Sequence, residues 1–220
     1  MRKVLLIALA CLVWLGSLSA CPAKAADELV AKGGRIAPGF YLTIRGKLVA
    51  LPTPPWLAEI GVAHVIQADG QQVYVSFGAD ATLLEALSNV GDARVRLVGT
   101  LDLVDEPRRE KEPDDVVRTN KKILVVRATR LEAVKDSSSK DELRVTAVGY
   151  LHPQVVQSTI DNPRRLWEIT ADKKSLPFSA GTEDLLKNAV ALEGNEVQAT
   201  GTLKNGAFVV EALSNFSLIG

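Results

Sequence analysis

Thr43-Ile44-Arg45-Gly46-Lys47-Leu48 and Thr146-Ala147-Val148-Gly149-Tyr150-Leu151 share a threonine, a glycine and a leucine at the same spacing, 103 positions apart. Extended without a gap, that shift also superimposes Ile66, Ala68 and Asp69 on Ile169, Ala171 and Asp172. It continues through Ser76 and Gly78 (Ser179 and Gly181), Leu83 and Ala86 (Leu186 and Ala189), and Gly91 (Gly194), giving eleven identities in 49 positions. After one residue is skipped, Val95 and Gly99-Thr100-Leu101 fall on Val197 and Gly201-Thr202-Leu203. Val125-Val126 and Ala128 then meet Val209-Val210 and Ala212 at a shift of 84. Self-similarity at a fixed period marks a repeated structural unit. The fall from 102 to 84 assigns an 18-residue insertion to the first copy, between its last two strands.

Each copy reads as strand, strand, strand, helix, strand, strand. The first predicts strands near 40–49, 62–69, 72–77, 93–103 and 122–131, with period-two alternation in Val73, Val75 and Phe77 and in Ala93, Val95 and Leu97. Leu83, Leu84 and Leu87 have helical spacing, and Gly91 stands where helices commonly end with positive φ. In the second copy Thr182 offers a hydroxyl cap, and Glu183 and Asp184 complement the unpaired amides of a first helical turn. Gly46 and Gly149 read as barrel bends, where the lack of a side chain permits strong strand coiling.

This order, with Gly-x-Leu on the first strand and Val-x-x-x-Gly-Thr-Leu on the fourth, resembles the OB-fold superfamily, and within it tandem bacterial periplasmic OB-fold-like modules. The resemblance covers about 40–131 and 143–216. The fold class it implies is mainly β: two tandem five-stranded OB-like barrels, each with a helix between strands 3 and 4. It implies a ligand- or partner-binding barrel, and the matched positions carry no functional residue of the family. The divisions expected are a signal peptide over 1–25, a first OB-like domain over 26–135 with an inserted loop at 104–121, a linker at 136–141, and a second OB-like domain over 142–220. Lys135-Asp136-Ser137-Ser138-Ser139-Lys140 supplies the polar linker composition.

The leader is Met1, Arg2 and Lys3, an apolar run from Val4 to Leu15, and then small residues, the pattern of an export signal. Leu18-Ser19-Ala20-Cys21 resembles a lipobox, which would lipidate Cys21, whereas Ala23-Lys24-Ala25 fits ordinary cleavage before Ala26. Both readings place the protein in the periplasm or envelope. Cys11 and Cys21 are the two cysteines, so the globular part has no disulfide to form. With Arg2, Lys3 and Lys24 removed, 23 basic face 26 acidic groups, a balance of −3. Nucleic-acid binders commonly carry a basic excess, so no nucleic-acid partner is expected from this balance.

Catalysis and metal binding need converging groups, and the sequence offers His64 and His152 without paired-ligand spacing. No catalytic residue, metal ligand or cofactor is expected. His64 aligns with Trp167 and reads as a half-buried strand residue; Asp69 and Asp172 read as turn residues. The histidine-and-tyrosine pattern of haem-handling OB proteins is missing from Ser214-Asn215-Phe216-Ser217-Leu218-Ile219-Gly220. Tyr74 alternates with Val73 and Val75 and points outward, but its counterpart is Pro177.

Two loops distinguish the first copy. Leu51-Pro52-Thr53-Pro54-Pro55-Trp56-Leu57-Ala58-Glu59-Ile60 joins strands one and two, and Glu106-Pro107-Arg108-Arg109-Glu110-Lys111-Glu112-Pro113-Asp114-Asp115 lies in the insertion. These loops frame the usual OB binding face. The partner-binding residues expected are Trp56, Pro54, Pro55, Arg108 and Arg109, with Trp56 as apolar anchor. The function expected is a non-catalytic envelope protein that binds a protein partner or small ligand. An envelope oligosaccharide or polymer binder is the alternative, and an enzyme stands third.

Overall fold

A computed structural model describes residues 36–52, 54–91, 93–105, 122–135, 140–154, 166–205 and 207–216. The leader with Cys21, most of the insertion with Arg108 and Arg109, and most of the 136–141 linker lie outside the described residues. The chain is mainly β. Its first five strands are β1 (Gly39–Ala50), β2 (Val62–Ala68), β3 (Gln71–Ser76), β4 (Arg94–Asp105) and β5 (Lys122–Ala133). They pair in the order β2-β3-β5-β4-β1, and β1 returns to β2, so the set closes into a five-stranded barrel. Strands β6 (Glu142–Gln154), β7 (Leu166–Ala171), β8 (Lys174–Ala180), β9 (Glu196–Lys204) and β10 (Ala207–Asn215) pair in the order β6-β7-β8-β10-β9, with β6 also meeting β9.

Alternation decides which face is buried. Leu42 and Ile44 of β1, Val73 and Val75 of β3, and Val95 and Leu97 of β4 point into the first core, which Leu83 and Val90 cover from helix α2 (Ala81–Val90). Asp80 caps α2 by accepting from the backbone N–H groups of Thr82 at 2.9 Å and Leu83 at 3.2 Å. Thr182 caps helix α3 (Glu183–Ala191) by accepting from Leu185 N–H at 3.3 Å, with Glu183 and Asp184 in its first turn. Asp69 and Asp172 hold turns with φ of 51° and 47°, left-handed values that aspartate tolerates better than most residues.

Four glycines show why the repeat preserves them. A Cβ on Gly46 would lie 2.3 Å from the Gln67 carbonyl oxygen, and on Gly149 it would lie 2.3 Å from that of Thr170. On Gly99 and Gly201 the distances to Arg127 O and Val209 O would be 2.2 and 2.0 Å. The repeat-related pairs occupy the same two strand crossings, where adjacent backbones approach too closely for any side chain.

One loop carries structure that its proline content concealed. Pro55–Glu59 forms a single helical turn, α1, with Pro55 at the start, where its fixed φ suits a helix and its missing N–H costs nothing.

The two strand sets are joined by more than a linker. β1 pairs antiparallel with β6 from Gly39↔Val148 to Arg45↔Glu142. The 103-residue shift maps this ladder onto itself: Gly39 becomes Glu142 while Val148 becomes Arg45, and Leu42 faces Val145, its own counterpart. The junction therefore has the self-complementary geometry of a two-fold interface. Gln71 Nε2 donates to Leu203 O across it, and its counterpart Lys174 pairs with Asp102 from the other side.

Candidate functional site

On the outward face of the first barrel, Tyr74 stands opposite Val65 on β2 and beside Val125 on β5. Leu57 of α1 packs here with Val62 and Val125, and Trp56 and Tyr74 lie half-buried against that cluster. Pro54 and Pro55 are exposed beside them. Tyr74 thus points outward as its alternation requires, and Trp56 shares its patch. Arg108 and Arg109, expected on the same face, lie outside the described residues.

A second group was not singled out from the sequence. The β1–β4 register sets Arg45 directly opposite Arg96 and Lys47 directly opposite Arg94. Directly opposed residues of an antiparallel pair share a face, and like charges so placed destabilise the sheet. Carboxylates relieve part of the repulsion. Glu142 lies 3.5 Å from both Arg45 and Arg144, Glu132 approaches Arg96 at 4.0 Å and also pairs with Arg130, and Asp141 pairs with Arg94. Six cations thus meet three carboxylates, in a chain whose residues 26–220 hold 23 basic and 26 acidic groups. The signal was present in the sequence as Arg45-x-Lys47 and Arg94-x-Arg96, a period of two that puts each pair on one strand face.

The repeat shows that this charge is not demanded by the barrel. Arg45, Lys47, Arg94 and Arg96 correspond to Val148, Tyr150, Glu196 and Gln198 in the second copy. From Tyr74 the outward surface runs one rung along β3 to Gln72, then across paired positions through Gln67 and Lys47 to Arg94. Tyr74 and the basic pairs therefore share the outward side of the barrel, linked through Gln72 and Gln67.

His64 sits half-buried with its ring edge-on to Phe77 at 5.5 Å, and burial lowers its pKa. Its Nδ1 has no hydrogen-bond partner among the described residues. No group of three or more His, Cys, Asp or Glu side chains is arranged to hold a metal ion among the described residues. Asp102 is buried between Arg127 and Lys174. Burial alone would raise its pKa, but hydrogen bonds from Lys174 and Arg127 and their positive charges outweigh it and hold the carboxyl below its usual range. No helix among the described residues is long and apolar enough to cross a membrane.

No protein-family model and no curated protein matches the chain. Solved structures similar to it include two forms of one protein. The wild-type single-stranded DNA binding protein from Thermus aquaticus matches with a TM-score of 0.50 and 15% identity, covering 82% of this chain and 94% of that one. A deletion mutant of that protein matches with a TM-score of 0.48 and 14% identity, covering 80% and 93%. With the closed five-stranded barrel, the first likeness makes the fold an OB-fold.

The wild-type neighbour corrects two expectations. It is a single-stranded DNA binding protein, against the expected binder of a protein partner or small ligand. The expectation of no nucleic-acid partner falls with it. The physical error lies in averaging: a net balance of −3 sums over both copies, whereas strand register sorts Arg45, Lys47, Arg94 and Arg96 onto one face of one copy.

Proposed function

We propose that the chain is a tandem of two OB-type barrels that binds single-stranded nucleic acid, and that the first barrel carries the binding surface. The observation behind this reading is the pair of like-charged rungs, Arg45–Arg96 and Lys47–Arg94, on the outward side of the barrel that also carries Tyr74, with Gln72 and Gln67 between Tyr74 and Lys47. Opposed cations cost folding energy, and a row of phosphates offsets it by counterion release. Aromatic rings alongside such a groove let bases stack without regard to sequence, worth roughly 1–3 kcal/mol per base. The wild-type structural neighbour is a single-stranded DNA binding protein, which supports the same class of ligand.

In this reading Trp56 is a stacking platform, and Pro54 and Pro55 stiffen the loop that presents it. The second barrel braces the first through β1 and β6. The chain does no chemistry on what it binds. The export leader puts the activity in the periplasm or envelope, with lipidated Cys21 as the anchor if the lipobox is the site used.

Fluorescence anisotropy of the full chain with a labelled oligothymidylate and with a duplex of equal length tests this. Tighter binding to the single strand is expected, falling at least tenfold in an Arg45→Gln/Lys47→Gln/Arg96→Gln variant. Equal affinity of variant and parent refutes the basic stripe as the site.

A further inference from the structure

Beyond the stripe itself, a cleft of about 380 Å³ opens at its end, between the β2–β3 turn and the start of β6. Lys47, Gln67, Gly70, Gln72, Arg94 and Asp141 line it. We propose that this cleft is a phosphate-binding seat, with Lys47 as the charged contact and Gln67 and Gln72 as neutral donors. The proposal rests on the reading above for its source of phosphate, a nucleic-acid backbone.

Register fixes the donors in a row across strands. Gln72 faces Gln67, Gln67 faces Lys47, and Lys47 faces Arg94. Lys47, Gln67 and Gln72 are exposed, and their side chains make no hydrogen bond or ion pair with another described residue. Arg94 turns toward Asp141, leaving its Nε shielded from solvent and without a partner among the described residues.

Among the described residues Asp141 is the one anion lining the cleft, and its charge is engaged by the protein. It pairs with Arg94 through one oxygen, and the other accepts the backbone N–H of Asp69 at 3.0 Å. What remains unsatisfied is a lysine ammonium and two carboxamides, all able to donate. A tetrahedral oxyanion takes several such donors at once, and charge-assisted bonds to it are the strong ones.

Barrel closure does not require this set. The second copy has Tyr150, Thr170, Ser175 and Glu196 where the first has Lys47, Gln67, Gln72 and Arg94, although the turn aspartates Asp69 and Asp172 are shared. The donor constellation is thus specific to the repeat that carries the basic stripe, and it extends that stripe across β2 to β3.

The test uses the full chain and two probes. Inorganic phosphate alone is titrated while the side-chain amides of Gln67 and Gln72 and the backbone N–H of Gly70 are followed by NMR. A labelled oligothymidylate is titrated at several salt concentrations. In the parent both probes should shift these signals. Lys47→Ala should abolish the phosphate response and reduce the slope of log K against log salt by about 0.7, one single-strand phosphate contact. If the oligonucleotide binds, Lys47→Ala keeps the full slope and the cleft signals stay fixed, the seat is refuted while single-strand binding stands. If the oligonucleotide fails to bind but phosphate moves the cleft amides in a Lys47-dependent way, the seat stands with free phosphate or a small phosphoester as its source, and the nucleic-acid reading falls. No response to either probe overturns the seat.

Discussion

Replacing Gly46 with alanine inserts a methyl group 2.3 Å from the Gln67 carbonyl oxygen, 2.9 Å from the Ala68 Cβ and 3.0 Å from the Gln67 carbonyl carbon. Two of these atoms are backbone, so no rotamer relieves the contact. β1 and β2 must separate by about 1 Å to restore ordinary contact distances, at the rungs from Lys47↔Gln67 to Ala50↔His64 that close the barrel. Overpacking of this kind costs about 1–3 kcal/mol. A weakened ladder bond adds about 1 kcal/mol. The expected loss is about 2–4 kcal/mol, or a melting temperature lower by roughly 5–15 °C for a chain of this size. Gly149→Ala, whose methyl would stand 2.3 Å from Thr170 O, should cost a similar amount. Gly39→Ala is the control, since its Cβ meets nothing nearer than Tyr41 Oη at 3.4 Å, an ordinary contact. Urea unfolding of the three variants decides the matter. Loss of less than about 0.5 kcal/mol in Gly46→Ala, a change expected of unremarkable surface sites, would refute close strand approach as the reason for the glycine.

Trp56→Ala should weaken oligonucleotide binding about tenfold and lower stability by about 1–2 kcal/mol, because the ring is only half-buried against Leu57, Val62 and Val125. A stability loss above about 3 kcal/mol with unchanged affinity would return the ring to the core. Asp102→Asn should destabilise the chain by about 1 kcal/mol at neutral pH, a modest value because Arg127 and Lys174 are 66% and 49% exposed. Since its folded pKa is lowered, the Asp102 contribution is present above the unfolded aspartate pKa and is lost as pH falls through the folded value. Thermal melts of parent and variant should therefore converge at acid pH, and a constant gap would refute the linkage.

Much of the fold is legible in the sequence because period-two alternation is a local signal and the 103-residue repeat shows the same pattern twice. Val73, Val75 and Phe77 announce an inward strand face, Asp69 and Asp172 announce turns, and the shared glycines mark crossings that tolerate no Cβ. The single turn of α1 was hidden, since Pro54-Pro55 reads as a stiff loop until Pro55 is seen at a helix start. The pairing of β1 with β6 was hidden too. Both strands look complete within their own copies, and nothing local shows that the amino-terminal half of β1 has an edge left to pair with β6. The candidate site was partly legible. Trp56 is visible as an apolar anchor and Tyr74 as an outward ring, but the opposition of Arg45 to Arg96 depends on the register of strands about 50 residues apart.

In the proposed function a single strand of nucleic acid lies on the first barrel and not on the second copy. Photo-cross-linking of an iodouracil-substituted oligonucleotide to the full chain, followed by mass spectrometry of the adducts, tests it most directly. Tyr74 and Trp56 should carry the adducts. Tyr150 is the internal control, because it stands at the position equivalent to Lys47 in the second copy and is 52% exposed. Adducts at Tyr74 and Trp56 with Tyr150 unmodified are the predicted result; adducts concentrated at Tyr150, or none on either copy, would contradict binding on the first barrel.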